Sequence, residues 1–512
     1  MALVRATTLV SLAFVISRML GFVRVAIIQA QLGYSPELDA YLAAFRIPDL
    51  IFELIAGGAL GSAFIPTFTA YLTRDNTRRA MRFASTIINL VFVVLLCLGL
   101  VMAWLAPWLV ATVVAPAFPP AQQMLTADLM RVMLIATIIF GVSGIVMGIL
   151  NAQQHFLAPA LAPIIYNLGI IGGALFLEPR FGVLGLTFGV GGGALGHLLI
   201  QLPALRRHQF QWQPVLTWRD AGVREVMRLM GPRMAGIALN HANFLVNTAL
   251  ASGLATGSIA ALDNARLLML LPHGIIAQAL ATTIFPTFAT QVARNDLAQV
   301  RATLISVLRA LLFFILPATV GLFIAREPLI ALLLQRGKFT GAATQLTAYA
   351  LAFYAPALVA YAVTEILTRA FYALRDTRTP VVIAGATIML NITFSLILVG
   401  ALGIGGLALA NLLASLVEAL GLWWLLRRRL GGFDGLALMR ASAPALLASI
   451  IMGGCVWLFI VSAAGQSVLV VALGCLLVGA GSYIGTAWAL RAQEIMRAQH
   501  LIGRRFKVWK RL

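Results

Sequence analysis

A chain of 512 residues that is 61% hydrophobic and only 11% charged is far more apolar than a water-soluble globular protein, whose apolar share is nearer ~45–50%. A soluble fold is excluded. The formal net charge of +20 would point to nucleic acid in a soluble chain, but here the basic residues sit between apolar stretches, and no nucleic-acid partner is expected.

A helix crossing ~30 Å of hydrocarbon needs roughly 20 apolar residues. Breaks at proline, glycine and charge clusters predict fourteen such spans, near 7–31, 41–72, 83–113, 125–150, 159–177, 183–204, 224–252, 258–290, 302–325, 343–371, 380–400, 404–426, 440–463 and 467–490. The expected fold is therefore all-α, a polytopic membrane protein. The first stretch resembles a secretory signal, yet Arg18 and Arg24 interrupt it and no small-x-small cleavage pattern follows, so it reads as a retained span. Cys97, Cys455 and Cys475 lie in apolar stretches and form neither a disulfide framework nor a zinc pattern.

Twenty-five of the 37 basic residues fall on one side of the fourteen-span arrangement, in Arg5, the cluster Arg74/Arg78/Arg79/Arg82, the runs Arg206 to Arg228 and Arg427 to Arg440, two smaller pairs and the tail from Arg491. The other side holds Arg180, Arg326, Arg336 and Lys338. The positive-inside rule makes the crowded side cytoplasmic, with both termini inside.

The chain also repeats itself at an offset of about 220 residues. Ala59-Leu60-Gly61-Ser62 and Pro66-Thr67-Phe68 correspond to Ala279-Leu280-Ala281-Thr282 and Pro286-Thr287-Phe288, and Arg46 lands on Arg266. One residue further out of step, Pro159 meets Pro380, Gly182 meets Gly403 and Arg206-Arg207 meets Arg427-Arg428. The expected organisation is an N-terminal six-helix lobe over 1–207, a cytoplasmic linker over 208–223 and a second six-helix lobe over 224–428. Two extra helices over 429–490 and a basic tail over 491–512 complete it. Six is an even number, so both lobes share one orientation and a cavity near the midplane is expected, as in transporters.

An arginine at the centre of a transmembrane helix costs ~2.5–3.5 kcal/mol, so several of them imply a polar interior. Glu365 and Arg369 are spaced i,i+4 and Asp128 and Arg131 i,i+3, which favours local pairing; Arg309 lies near a helix end and reads as structural. Arg18 and Arg24 share the first span with no acidic residue in it, and Gly21 between them leaves room for close approach. Arg46, Asp49 and Glu53 stand at i, i+3 and i+7 on one face of the second span. Guanidinium forks match phosphate oxygens bidentately, so the expected cargo is anionic. The histidines show no metal-ligand spacing, and neither a nucleophile elbow nor a phosphate loop occurs in the chain; the reading is a transporter rather than an enzyme. Asn240, Asn243, Asn247, Asn391 and Thr393 read as interhelical hydrogen-bonding groups rather than cation ligands.

Ser17-Arg18-Met19-Leu20-Gly21-Phe22-Val23-Arg24, Asp39-Ala40-Tyr41, Phe45-Arg46-Ile47-Pro48-Asp49-Leu50 and Gly58-Ala59 to Ala63-Phe64-Ile65-Pro66 resemble the MurJ (MviN) family of lipid II flippases, in the multidrug/oligosaccharidyl-lipid/polysaccharide exporter superfamily. Gly148-Ile149-Leu150-Asn151-Ala152, Gly231-Pro232 and Gly337-Lys338-Phe339-Thr340 resemble its later signatures. The resemblance implies a fourteen-helix protein of the bacterial cytoplasmic membrane that moves undecaprenyl-pyrophosphate-linked peptidoglycan precursor between leaflets by alternating access. It implies substrate-binding roles for Arg18, Arg24, Arg46, Arg266 and Asp39, and Glu53, on the charged stripe of the second span, is the remaining candidate. Where many members carry an arginine in the second span this sequence has Phe52, and where they carry a glutamate it has Gly57. A flippase for another undecaprenyl-linked oligosaccharide is the alternative, and a multidrug antiporter is a weaker one. No cofactor is expected, the energy coming from the membrane potential or an H+ or Na+ gradient. The partners are lipid II and membrane lipids, with the protein acting as a monomer beside the cell-wall synthesis machinery.

Overall fold

The computed structural model describes residues 2–57, 64–73 and 77–496. Gly58, the repeat and signature residues from Ala59 to Ala63, Arg74 and the tail beyond Met496 lie outside the described residues. Among the described residues the chain is helical and contains no strand, as the apolar periodicity predicts.

The helices are α1 (Ala2–Leu32), α2 (Pro36–Ala44), α3 (Arg46–Phe52), α4 (Ile65–Thr73), α5 (Thr77–Leu109), α6 (Pro120–Ala152), α7 (Leu157–Gly172), α8 (Glu178–Phe181), α9 (Val183–Leu199), α10 (Leu202–Arg207) and α11 (Ala221–Ala251). They continue as α12 (Ser258–Pro272), α13 (Gln278–Ala293), α14 (Leu297–Ile324), α15 (Arg326–Leu334), α16 (Gly341–Tyr354), α17 (Ala357–Ala373), α18 (Arg378–Leu402), α19 (Ile404–Arg429), α20 (Gly435–Ser462) and α21 (Val468–Ala489).

Eleven helical stretches among the described residues are long and apolar enough to span a bilayer, and the pair α16 and α17, bent by 46°, makes a twelfth. The two remaining spans of the sequence differ for identifiable reasons. The second is broken into α2, α3, a π-helical turn over Glu53–Gly57 and α4. The seventh, α11, has 31 residues, ample length at ~1.5 Å per residue, but it carries Arg224, Glu225, Arg228 and Arg233 in its first half.

The chain forms two compact units, Met1–Ala260 with Arg336–Thr340, and Ala261–Gln335 with Gly341–Leu512. In the first, Phe64 stacks on Phe68 and on Phe83 at 5.5 and 5.6 Å between ring centres. Helices α7 and α9 meet glycine to glycine: a Cβ on Gly169 would lie 2.4 Å from the Cα of Gly193, and one on Gly173 2.6 Å from that of Gly189. Such small-residue seams supply the van der Waals contact that replaces hydrophobic driving force inside a bilayer. In the second unit, Met452, Val456, Cys475 and Tyr483 form a buried cluster with Phe313. The Tyr483 hydroxyl donates to the Phe313 carbonyl at 2.5 Å, which satisfies the one polar group that cluster would otherwise bury.

The repeat is visible in the backbone of each unit. Gly182 and Gly403 both adopt positive φ, 61° and 55°, and each precedes a helix, α9 or α19. Three residues later a Cβ on Gly185 would meet the Leu177 carbonyl oxygen at 2.3 Å, and one on Gly406 the Leu398 carbonyl oxygen at 2.3 Å. Both glycine pairs therefore do the same steric work. The π-helical turns recur likewise, over Glu53–Gly57 and His273–Ala277, at the offset that carries Arg46 onto Arg266. A π turn leaves a local irregularity in the helical bond ladder and is frequent at functional sites.

Candidate functional site

In the first unit, α3 and its π-helical continuation run against α11. Arg46, Asp49 and Glu53 occupy one face of the former, and His241, Phe244 and Thr248 share the same i, i+3, i+7 spacing on the latter. The two stripes meet in antiparallel order. Arg46 donates Nε–H to Thr248 Oγ1 at 2.8 Å with its guanidinium 5.9 Å from the Phe244 ring centre. One helical stretch further on, Glu53 Oε2 lies 3.0 Å from His241 Nε2. Asp49 stands within electrostatic range of Arg46, His241, Glu53 and Arg24, so the sequence-predicted Arg24, Arg46 and Glu53 come together with Asp49.

Arg24 reaches this group from α1. It is half-buried, its guanidinium is 5.9 Å from the Tyr166 ring centre on α7, and it makes no hydrogen bond or ion pair among the described residues. Arg18, six residues earlier, is exposed and equally without such a partner among the described residues. Gly21 between them faces α7, where an added Cβ would meet only Asn167 Oδ1, at 3.9 Å; the room there exceeds what glycine requires. A cavity of about 190 Å³ lined by Asp49, Phe52, Met133, Phe140 and Tyr166 adjoins the cluster. Phe52 packs edge-on against Phe140 at 5.7 Å, and Phe140 against Tyr166 at 4.5 Å, so Phe52 belongs to an aromatic wall.

Asp39 has a different setting. It is 3% exposed; its Oδ2 accepts the Gly257 N–H at 2.6 Å and its Oδ1 the Ala260 N–H at 3.2 Å. The carboxylate thus caps the start of α12 from another helix, satisfying donors that a helix N-terminus leaves open. Gly257 has φ +86°, and a Cβ there would lie 2.6 Å from Tyr34, so glycine is required. The segment Arg336–Thr340 joins the same unit. The Lys338 N–H donates to the Ala30 carbonyl at 2.7 Å, a Cβ on Gly337 would lie 2.4 Å from that oxygen, and Phe339 meets Tyr34 edge-on at 5.1 Å. The Gly337-Lys338-Phe339-Thr340 motif is therefore a clasp on the end of α1.

In the second unit Arg266 is half-buried on α12 and engaged in contacts of its own. The pairs expected from spacing are formed, Arg369 with Glu365 at 2.7 Å and, in the first unit, Arg131 with Asp128 at 2.7 Å. Arg309 bonds Glu494 and Gln493 after α21, each at 2.5 Å, which gives its structural reading a partner. Asn240 bonds along its own helix to the Gly236 carbonyl and Thr393 to that of Met389, rather than between helices. His241 is the site residue that sequence reasoning missed; its spacing from Phe244 and Thr248 was the available signal.

A family model described as "Lipid II flippase MurJ" matches residues 28–477. A probable lipid II flippase MurJ of Buchnera aphidicola is 31% identical over 80% of this chain and 81% of its own length, and the lipid II flippase MurJ of Burkholderia cenocepacia is 29% identical over 84% of each. Among solved structures, a lipid II flippase MurJ in an inward closed conformation aligns with a TM-score of 0.81 at 24% identity, over 95% of this chain and 100% of that one. An inward-facing multidrug transporter of the MATE family aligns at 0.69 and 16% identity, over 83% and 96%. These two structures show a shared fold.

Proposed function

We propose, since the chain belongs to the lipid II flippase MurJ family, that it moves the undecaprenyl-pyrophosphate-linked peptidoglycan precursor from the inner to the outer leaflet of the bacterial cytoplasmic membrane. The observation that carries the reading is Arg24. It is a half-buried guanidinium in a transmembrane helix, paired with no carboxylate among the described residues, beside a second arginine held in place by Thr248. A charge kept in that position at a cost of kilocalories is accounted for by an anionic ligand, and a pyrophosphate offers the oxygens that guanidinium forks fit.

In this reading Arg24 and Arg46 contact the pyrophosphate and Arg18 attracts it. Glu53 and His241 hold the α3 and α11 stripes in register until the cargo arrives, and Asp39 fixes the start of α12. Arg266, at the repeat-related position, is proposed to serve the same cargo. The isoprenoid tail has no need to cross a polar interior and stays in lipid, while the headgroup passes by alternating access. The test is survival of a bacterium depleted of its own lipid II flippase and supplied with this chain: growth is expected, and lysis despite normal membrane expression would remove the assignment.

Both termini are proposed to face the cytoplasm, on the strength of the charge asymmetry. Single cysteines placed near Arg78, Arg219 and Arg429 should resist a membrane-impermeant thiol reagent in intact cells, and ones near Glu37, Ala255 and Gln466 should react. The reversed pattern would overturn the orientation.

A further inference from the structure

The stretch between α10 and α11 reads in the sequence as a linker, yet it is laid as an extended strap along α5. Asn89 donates through Nδ2 to the carbonyls of Gln213 and Val215, at 2.9 and 3.0 Å, and accepts from Trp212 Nε1 at 2.9 Å. The Gln213 N–H donates to Ser85 Oγ at 3.1 Å. Held this way, the strap alternates with period two. Trp212, Pro214, Leu216 and Trp218 face outward and are exposed, while Gln213, Val215 and Thr217 are half-buried on its inner side. Two tryptophans and a leucine on the outer face of an otherwise polar segment are what a membrane–water interface favours.

Under the inner side lies a cavity of about 630 Å³ lined by Arg78, Arg79, Arg82, Arg219 and Asp220 among others. The one carboxylate in its described lining is already committed. Asp220 Oδ1 accepts from the Gly222 N–H at 2.8 Å, capping α11, and from the Tyr71 hydroxyl at 3.2 Å; Oδ2 faces Arg79 at 3.5 Å, whose guanidinium stands 4.9 Å from the Tyr71 ring centre. Arg78, Arg82 and Arg219 have no side-chain hydrogen bond or ion pair among the described residues. Among the described residues, therefore, three guanidiniums from α5 and the strap line the cavity without a carboxylate of their own. That chemistry suits a phosphate.

A second cavity, about 250 Å³, shares the neighbourhood through Trp218 and α5, and its lining among the described residues is apolar, including Ile55, Ile87, Val91, Met230 and Met234. Ile51, Leu54 and Ile55 present to it the side of the α3 stretch away from Arg46 and Glu53, so it is separate from the site described above. The geometry points to a bound anionic phospholipid, its phosphate on Arg78, Arg82 and Arg219, one acyl chain in the apolar cavity and Trp212 and Trp218 at the headgroup level. A free phosphate would use the first cavity and leave the second and the outward tryptophans without purpose; basic pockets beside transmembrane helices on the positive side are a recognised mode of lipid headgroup binding.

The purified full-length protein in detergent, titrated with dioleoylphosphatidylglycerol and read by native mass spectrometry, tests this. Wild type should hold that lipid at least about tenfold more tightly than dioleoylphosphatidylcholine. The Arg78→Ala/Arg82→Ala/Arg219→Ala variant, altered only at exposed positions, should lose the preference, and Met230→Trp, which fills the chain cavity, should weaken binding severalfold. Millimolar inorganic phosphate should not displace the lipid. Unchanged binding in the triple variant, equal retention of phosphatidylcholine, or unchanged binding in Met230→Trp would overturn the proposal. So would displacement by phosphate, or a clear preference for undecaprenyl pyrophosphate, which would make the pocket a station for cargo.

Discussion

Arg24→Ala and Arg46→Ala should each lower lipid II flipping at least about tenfold in protein that reaches the membrane in normal amount. The proposed pyrophosphate contact that each substitution would remove is charge-assisted and worth ~1.5–3 kcal/mol, and a tenfold change in affinity corresponds to ~1.4 kcal/mol. The two should not behave alike in every respect. Arg46 also bonds Thr248, so its loss should loosen α3 from α11 and lower thermal stability, whereas Arg24 rests against the Tyr166 ring with no hydrogen bond or ion pair among the described residues, and its loss should change stability less. Lysine at either position keeps the charge without the bidentate fork, and partial rescue is expected. Arg309→Ala is the control. It strands Glu494, its partner at 2.5 Å, and so lowers the unfolding temperature while flipping per folded molecule stays close to wild type. Full activity of Arg24→Ala would take the pyrophosphate site away from α1.

The second large effect is on energy coupling. Arg18, Arg24 and Arg46 exceed Asp49 and Glu53 by one positive charge, and we propose that this excess couples the return of the empty site to the membrane potential, at ~2.3 kcal/mol per charge per 100 mV. Flipping in cells should therefore slow severalfold when an ionophore collapses the potential at constant pH. Neutralising Arg24 should reduce that sensitivity as well as the rate. An unchanged rate without potential or ion gradient in reconstituted vesicles would contradict the coupling.

Much of this was legible in the residues themselves. Apolar runs set the spans, and glycines and prolines at matching places set the repeat, because a left-handed backbone or a close carbonyl admits no side chain. That is why Gly182 and Gly403 correspond in the sequence and, with Gly185 and Gly406 three residues on, do the same steric work in the fold. The stripe of Arg46, Asp49 and Glu53 was legible for a similar reason: helical spacing places i, i+3 and i+7 on one face. What faces that stripe was not. His241 shares the spacing with Phe244 and Thr248, but a lone histidine in an apolar helix announces no partner until α11 is seen lying antiparallel to α3. The capping of α12 by Asp39 joins residues more than 200 positions apart, and no local pattern encodes it. The π-helical turns recur in both halves although their sequences, Glu53–Gly57 and His273–Ala277, have little in common, so the repeat is better preserved in backbone geometry than in side chains. The strap over α5 is not legible in the sequence because its period-two alternation is short and lies between charged residues, where a linker is the ordinary reading.

Transport of lipid II by this chain is measured most directly as the amount of lipid II exposed on the outer leaflet of cells depleted of their own flippase. With this chain expressed, an impermeant probe of outer-leaflet lipid II should recover the signal of undepleted cells, and Arg24→Ala should leave it near the depleted level. Outer-leaflet lipid II that stays at the depleted level while the protein is folded and present in the membrane would contradict the account.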